Sequence, residues 1–257
     1  MPAADQITLK HFLRAECLPA LAARAAYFSH AEIRRFLARH RVPATAPTLR
    51  RYLHEAVAEG HIHDAGRRWY SRLETPFKLH REPVRGLVEL LEKRFPLLGF
   101  SCWSTEQIAS YGHLQLARFV AFVHTERDAM ESVATALRDA GWQVWLHPTR
   151  QEAAKSFRTE EKTVVVRPAV SRAPVEGRFA AVEKILVDVV AETRAMRLLD
   201  EGEYRRLVVN LAGRHRISVD TLAAYARRRG VELEAVLGGV INDSQNKTKV
   251  AGVDSSK

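Results

Sequence analysis

Cysteine is scarce in this 257-residue chain: only Cys17 and Cys102 occur, in unlike contexts. Two such thiols build neither a disulfide framework nor a zinc site, and each reads as a buried small residue. No run of about 18 apolar residues occurs, so no transmembrane helix is expected. The opening Met1-Pro2-Ala3-Ala4-Asp5-Gln6 lacks a basic segment followed by an apolar one, so no secretory signal is read there. A cytoplasmic protein without a membrane partner is the expectation. Glycine-rich phosphate loops are absent, and no His/Cys grouping has metal-ligand spacing. Neither cofactor nor metal nor catalytic residue is therefore assigned.

What is present is a composition with 46% hydrophobic and 27% charged residues, which excludes general disorder. Forty Lys and Arg against 30 Asp and Glu leave a net charge of +10, which favours an acidic partner, nucleic acid first. The length fits one large or two ordinary domains.

Thr8 to Ala26 has helical spacing of Leu9, Phe12, Leu13 and Leu21, with a break expected at Pro19. Ser29-His-Ala-Glu32 is a capping-box pattern opening a helix over 30–41, with Ile33, Phe36 and Leu37 inward. Thr45 caps the next helix, over 46–59, with Pro47 in its first turn and Leu49, Leu53 and Val57 inward. His61-Ile62-His63, the turn Asp64-Ala65-Gly66 and Arg67-Arg68-Trp69-Tyr70 read as a hairpin.

Three helices followed by a two-stranded hairpin is the order of a winged helix-turn-helix. The helix over 46–59 is the one expected to enter the major groove, presenting Thr48, Arg50, Arg51 and His54. Arg34 and Arg35 on the preceding helix and Arg67 and Arg68 on the wing complete the expected DNA surface. Between Ser29 and Arg72 nine arginines face four acids, so this short segment carries half of the net charge. A charge run alone is more often a solvated helix face. Helix order, wing and arginine concentration together favour double-stranded DNA.

The expected organisation is α+β. An N-terminal winged helix-turn-helix covers residues 1–75, a linker 76–83, a mixed α/β domain with a helical end 84–238, and a disordered tail 239–257. In the middle region a helix starts at Val84. Strands are expected at Leu98–Trp103, Arg118–His124, Trp142–Leu146 and Thr163–Arg167. Ser104–Gln107 fits a second capping box, and Thr125 is read as the cap of a helix over Glu126–Ala140. Residues 149–162 read as a charged connection. Helices follow at Ala180–Glu192, Glu203–Ala212 and Val219–Arg229. Arg205, Arg206, Arg214, Arg216, Arg227, Arg228 and Arg229 form a possible second basic surface that grips flanking DNA; a solvated helix face is the plain alternative.

Two other classes stay open. Glu160-Glu161 before Lys162 and a strand is compatible with a nuclease centre, although a solvated turn explains it more simply. A winged helix can also be a protein-interaction module without DNA binding. Glu183 and Asp188, five apart on a helix, lie about 140° apart around its axis and do not suit one metal ion.

Four segments carry a family resemblance: Phe28–Leu73, the run Phe100-Ser-Cys-Trp-Ser-Thr-Glu-Gln-Ile-Ala-Ser-Tyr-Gly112, Ala181-Val-Glu-Lys-Ile-Leu-Val-Asp188, and Leu222-Ala-Ala-Tyr-Ala-Arg-Arg-Arg-Gly230. With these the chain resembles the AbiEi-type antitoxins of bacterial type IV (abortive infection, phage-defence) toxin–antitoxin systems. The resemblance implies a winged helix that represses its own operon and a C-terminal domain that counteracts a nucleotidyltransferase-type toxin. The partners it implies are operator DNA, expected to be an inverted repeat, and that toxin. The protein would be a monomer or weak dimer, cooperative on DNA. The long first helical region and the polar tail depart from the family pattern.

Overall fold

In the computed structural model the described residues are 8–112, 118–196 and 198–241. Of the expected tail at 239–257, residues 242–257 lie outside them, as does the opening segment, whereas its start is packed: Val240 is buried and Ile241 bridges to Tyr27. The architecture is α+β, with a three-stranded and a six-stranded sheet among the described residues.

The first helical region is continuous rather than broken at Pro19. Helix α1 (Leu9–Phe12) passes through a π-helical turn (Leu13–Cys17) into α2 (Leu18–Arg24). The N–H of Leu18 reaches the carbonyl of Leu13. That widened turn gives room to the proline ring, which cannot continue an ordinary i to i−4 ladder. Strand β1 (Tyr27–Ser29) follows, then α3 (His30–Arg39) and α4 (Ala46–Ala58). The Ser29–Glu32 capping box forms, and Thr45 caps α4. Strands β2 (His63–Asp64) and β3 (Trp69–Ser71) make the hairpin. Here β1 adds antiparallel to β3, giving the order β1-β3-β2, with Tyr27 opposite Ser71 and Ser29 opposite Trp69.

This small sheet has two apolar faces. Phe28 packs with Ile33, Leu49, Leu53 and the first helices, whereas Tyr27 belongs to the core of the C-terminal half. Alternation along the strand puts these neighbours on opposite sides. The Tyr27 hydroxyl donates to His215 O (2.8 Å) and accepts the Ile217 N–H (3.1 Å). The N-terminal elements are therefore packed onto the rest of the chain.

Residues 76–83, expected as a linker, are also docked. Arg216 N–H bonds Thr75 O (2.8 Å) and Phe77 N–H bonds Arg216 O (2.9 Å). Gln107 Nε2 holds His80 O at 2.7 Å. Backbone groups satisfied in this way leave a strap rather than a free tether.

Beyond it lie α5 (Glu82–Arg94), β4 (Phe100–Ser104), α6 (Glu106–Ala109), β5 (Val120–Thr125), α7 (Met130–Asp139) and β6 (Gln143–Leu146). Helix α8 (Arg150–Ser156), β7 (Thr163–Pro168), β8 (Val175–Glu176) and β9 (Phe179–Ala180) come next, then α9 (Val182–Met196), α10 (Glu201–Ala212), α11 (Val219–Arg228) and α12 (Leu233–Leu237). The sheet order is β6-β7-β5-β4-β9-β8. Strands β6, β7 and β5 are parallel, β4 is antiparallel to β5, and β9 is parallel to β4. It is the mixed sheet expected from the alternation of strands and helices.

Three local expectations are corrected. Thr125 ends β5 and donates to Gly99 O, while a 3-10 turn (Arg127–Ala129) leads into α7. At Ser104–Gln107 the Gln side chain accepts the Ser104 N–H (2.9 Å), but the helix starts one residue later and the box does not close. The charged connection contains α8, opened by a Thr149–Glu152 capping box.

One sheet face, with Cys102, Val123, Val164 and Val166, packs on α5 and α7. The other, with Trp103, Phe122 and Val165, packs on α9 and the last helices. Trp103 and Phe122 stack with centroids 4.2 Å apart. Helix α9 is buried from Val182 through Val190, with Glu183, Lys184 and Asp188 inside among its apolar residues, so these charges need partners within the protein.

Candidate nucleic-acid interface

Arg34 and Arg35 lie on the outer side of α3, Arg50, Arg51 and His54 on that of α4, and Arg67 and Arg68 on the β2–β3 turn; all are exposed, and Thr48 is half-buried. The fold brings three of these elements together. The His30 N–H bonds Arg68 O at 2.9 Å, tying the turn to the start of α3. Burial, and then the charges of Arg34, Arg68 and Arg50, hold the His30 imidazole below its ordinary pKa. Cations from α3, the turn and α4 thus act on one point.

Local geometry sets each position. Arg41 (φ 57°) and Arg68 (φ 66°) adopt the left-handed conformation, the first ending α3 and the second closing the turn. Thr48 is engaged in the cap: its N–H and its hydroxyl oxygen both meet Thr45 Oγ1, at 3.4 and 2.8 Å. Arg51 lies over the Tyr52 ring (4.9 Å) and near Glu55 (3.9 Å). Among the described residues no salt bridge engages Arg34, Arg35, Arg50, Arg67 or Arg68. Lys10 pairs with Glu55 (2.7 Å) and Arg14 with Glu59, so α1 and its π turn brace α4.

The residues of the possible second basic surface do not form one surface. Arg205, Arg206, Arg214, Arg227 and Arg228 are exposed, and Arg205 pairs with Glu201 (2.9 Å). Arg216 is half-buried and donates to Leu73 O (3.1 Å). Arg229 turns inward, with Nε 3.0 Å from Asp188 Oδ1 and Nη2 donating to Glu192 Oε1 at 3.2 Å. Adjacent helical residues diverge by about 100°, so the run Arg227-Arg228-Arg229 splits between solvent and interior. Glu160 and Glu161 are exposed at the turn before β7, where Glu160 accepts from Gln143 (2.9 Å).

Arg229 leads to a buried charge network that the sequence reading did not assemble. Lys184, Asp188 and Glu192 follow an i, i+4, i+8 stripe on α9. Lys184 pairs with Asp188, both fully buried. Asp188 Oδ1 accepts the Tyr225 hydroxyl (2.8 Å) from α11, and Oδ2 stands 3.5 Å from His124 Nε2 on β5. Arg167 on β7 donates to Glu192 Oε2 from Nη2 (2.6 Å) and Nε (3.1 Å), and to Pro148 O (2.8 Å). Burial pushes the Asp188 carboxyl up, but the charges of Lys184 and Arg229 and the Lys184 hydrogen bond outweigh it and hold it below the usual range. Burial, reinforced by Lys184, drives His124 well below the ordinary imidazole value, so it is neutral at pH 7. The i, i+4 spacing within Glu183–Glu192 was the available signal; its partners on β5, β7 and α11 come from remote segments.

A family model matches residues 48–246, from α4 through the hairpin and the six-stranded sheet. The chain belongs to the family of unknown function DUF6577. The matched region holds most of the basic face, all of the buried network and the strap between them. No curated protein matches the chain.

Proposed function

We propose that this DUF6577 member is a sequence-specific DNA-binding repressor of its own operon that also serves as antitoxin to a nucleotidyltransferase-type toxin. In this reading β1–β3 and α2–α4 make a winged helix, α4 enters the major groove, and the β2–β3 turn is the wing. The observation that carries it is that Arg34, Arg50 and Arg68, on α3, α4 and the turn, are exposed, form no salt bridge among the described residues and all act on His30, whose N–H bonds Arg68 O. Cations without protein partners keep their full donor capacity for phosphate and guanine edges. The antitoxin half is supported by the resemblance carried by Glu183–Asp188 and Tyr225–Gly230.

The test is a gel-shift titration on the DNA upstream of the chain's own gene, with scrambled competitor at two salt concentrations. A discrete shift surviving competitor is expected. With about five phosphate contacts, affinity should fall on the order of 500-fold between about 50 and about 200 mM salt. Equal shifts on scrambled DNA would defeat the repressor reading. Co-expression with the toxin encoded beside it should restore growth; continued arrest would defeat the antitoxin half.

A further inference from the structure

A cleft of about 320 Å³ opens where the β2–β3 turn, the strap and the body of the chain meet. Its polar wall is Asp64, Glu176, Glu183 and Arg216, and its apolar wall includes Phe77, Leu79, Val182 and Ile217. In a chain with a net charge of +10, this lining is net acidic.

Glu183 is the residue that asks for a partner. It is 9% exposed, and its Oε1 accepts the Ser218 N–H at 2.8 Å. No salt bridge reaches it among the described residues, and the charges raising its pKa after burial itself are two further carboxylates, Glu176 and Asp220. Arg81 is taken up by Glu176; Arg216 lines the same cleft and keeps its charge, donating to Leu73 O without forming a salt bridge to Glu183. Buried carboxylates are ordinarily paired. A bare metal ion suits the site poorly, because no group of three or more His, Cys, Asp or Glu ligands is found among the described residues. The volume and the apolar wall suit a cation carried on a short alkyl stem.

We propose that this cleft binds a small organic cation, an aliphatic amine or guanidine, with Glu183 as its counter-ion and Phe77 and Leu79 against its stem. Asp64 on the turn adds attraction, and the occupant would bridge the turn to the body. The inference does not depend on the DNA reading, and its test uses no DNA.

The experiment is isothermal titration of the full chain with agmatine and putrescine, with 1-butanol as the uncharged control. Saturable one-site binding at or below about 1 mM is expected for at least one amine. Glu183→Gln should weaken it about tenfold or more, the effect of removing a charged hydrogen-bond partner, while the unliganded variant melts at or above the wild-type temperature. No saturable heat from either amine, equal binding by Glu183→Gln, or equal binding of 1-butanol would each overturn the proposal. Should Glu183→Gln fail to fold, Leu79→Trp fills the cleft instead; retained binding in that variant would overturn it equally.

Discussion

A Cβ added to Gly66 would lie 1.8 Å from Oδ1 of Asp220, so the β2–β3 turn and the start of α11 meet with no space for a side chain between them. The Val219 N–H bonds Ala65 O at 2.8 Å in the same contact. The turn bearing Arg67 and Arg68 is thereby held on the helix whose other end sends Tyr225 and Arg229 into the buried network.

Gly66→Ala should therefore cost more than the same change at Gly60. Both glycines have positive φ, 104° and 75°, but nothing lies within 4 Å of a Cβ at Gly60. Backbone strain of about 1 kcal/mol is expected at Gly60, and about 2–3 kcal/mol at Gly66, where Asp220 must also move. Urea denaturation of the two variants measures the difference. Equal losses would show that the turn is not held by this contact.

Arg50→Ala and Arg51→Ala should each weaken binding to the upstream DNA, Arg50→Ala more, because Arg51 is already shared with Tyr52 and Glu55. A bidentate base contact is worth about 1–3 kcal/mol and is lost selectively on the cognate site. A phosphate contact weakens all sequences alike and lowers the salt slope by about one. Wild-type affinity in both variants would remove α4 from the interface.

The three consecutive arginines of α11 should separate in stability measurements. Arg229→Ala leaves Asp188 and Glu192 short of a buried cation and is expected to cost about 3–5 kcal/mol. Arg227→Ala and Arg228→Ala, at exposed positions, should stay within about 0.5 kcal/mol. Any DNA-binding defect of the triple alanine variant then has to be compared with that of Arg227→Ala/Arg228→Ala. A weakly destabilised Arg229→Ala would contradict the network.

His124 sets a pH dependence of stability. Its folded pKa lies well below the ordinary imidazole value of 6.5, so below that pH the unfolded chain takes up a proton that the folded chain refuses. Stability is therefore full above about pH 6.5 and falls as pH drops toward the folded pKa, by up to about 1.4 kcal/mol per pH unit. The groups facing the imidazole are Lys184 and Asp188 from α9, Arg229 following α11 and Arg167 from β7. His30, His63 and His147 are shifted in the same direction, so the wild-type slope includes them. His124→Gln should flatten the curve between about pH 5 and 6.5. Identical slopes for the two proteins would refute the assignment.

Much of the element order was legible because it is written in local patterns. The Ser29–Glu32 box, the Thr45 cap and the valine run at Thr163–Arg167 act within a few residues, so local sequence suffices to read them. The Thr149–Glu152 box is equally local, but it lies inside a run of charged residues that reads as a connection. Strand β1 was not legible: Tyr27–Ser29 is short, and only its pairing with β3 makes it a strand. The strap at 76–83 reads as a linker for the same reason, since its hydrogen bonds go to Arg216 and Gln107.

The sequence by itself determined the helix caps, the inward faces of α3 and α4, the mixed alternation of the middle region and the concentration of arginine before residue 72. These depend on interactions within one or two turns. Only the tertiary structure decided which charges stay in water. Neighbouring helical positions point about 100° apart, and a carboxylate or arginine enters the interior where the surrounding chain supplies a counter-charge or hydrogen-bond donors and acceptors. Arg228 therefore remains exposed while Arg229 reaches Asp188, and Glu183 turns to a cleft while Asp188, five residues on, is enclosed by β5, α9 and α11.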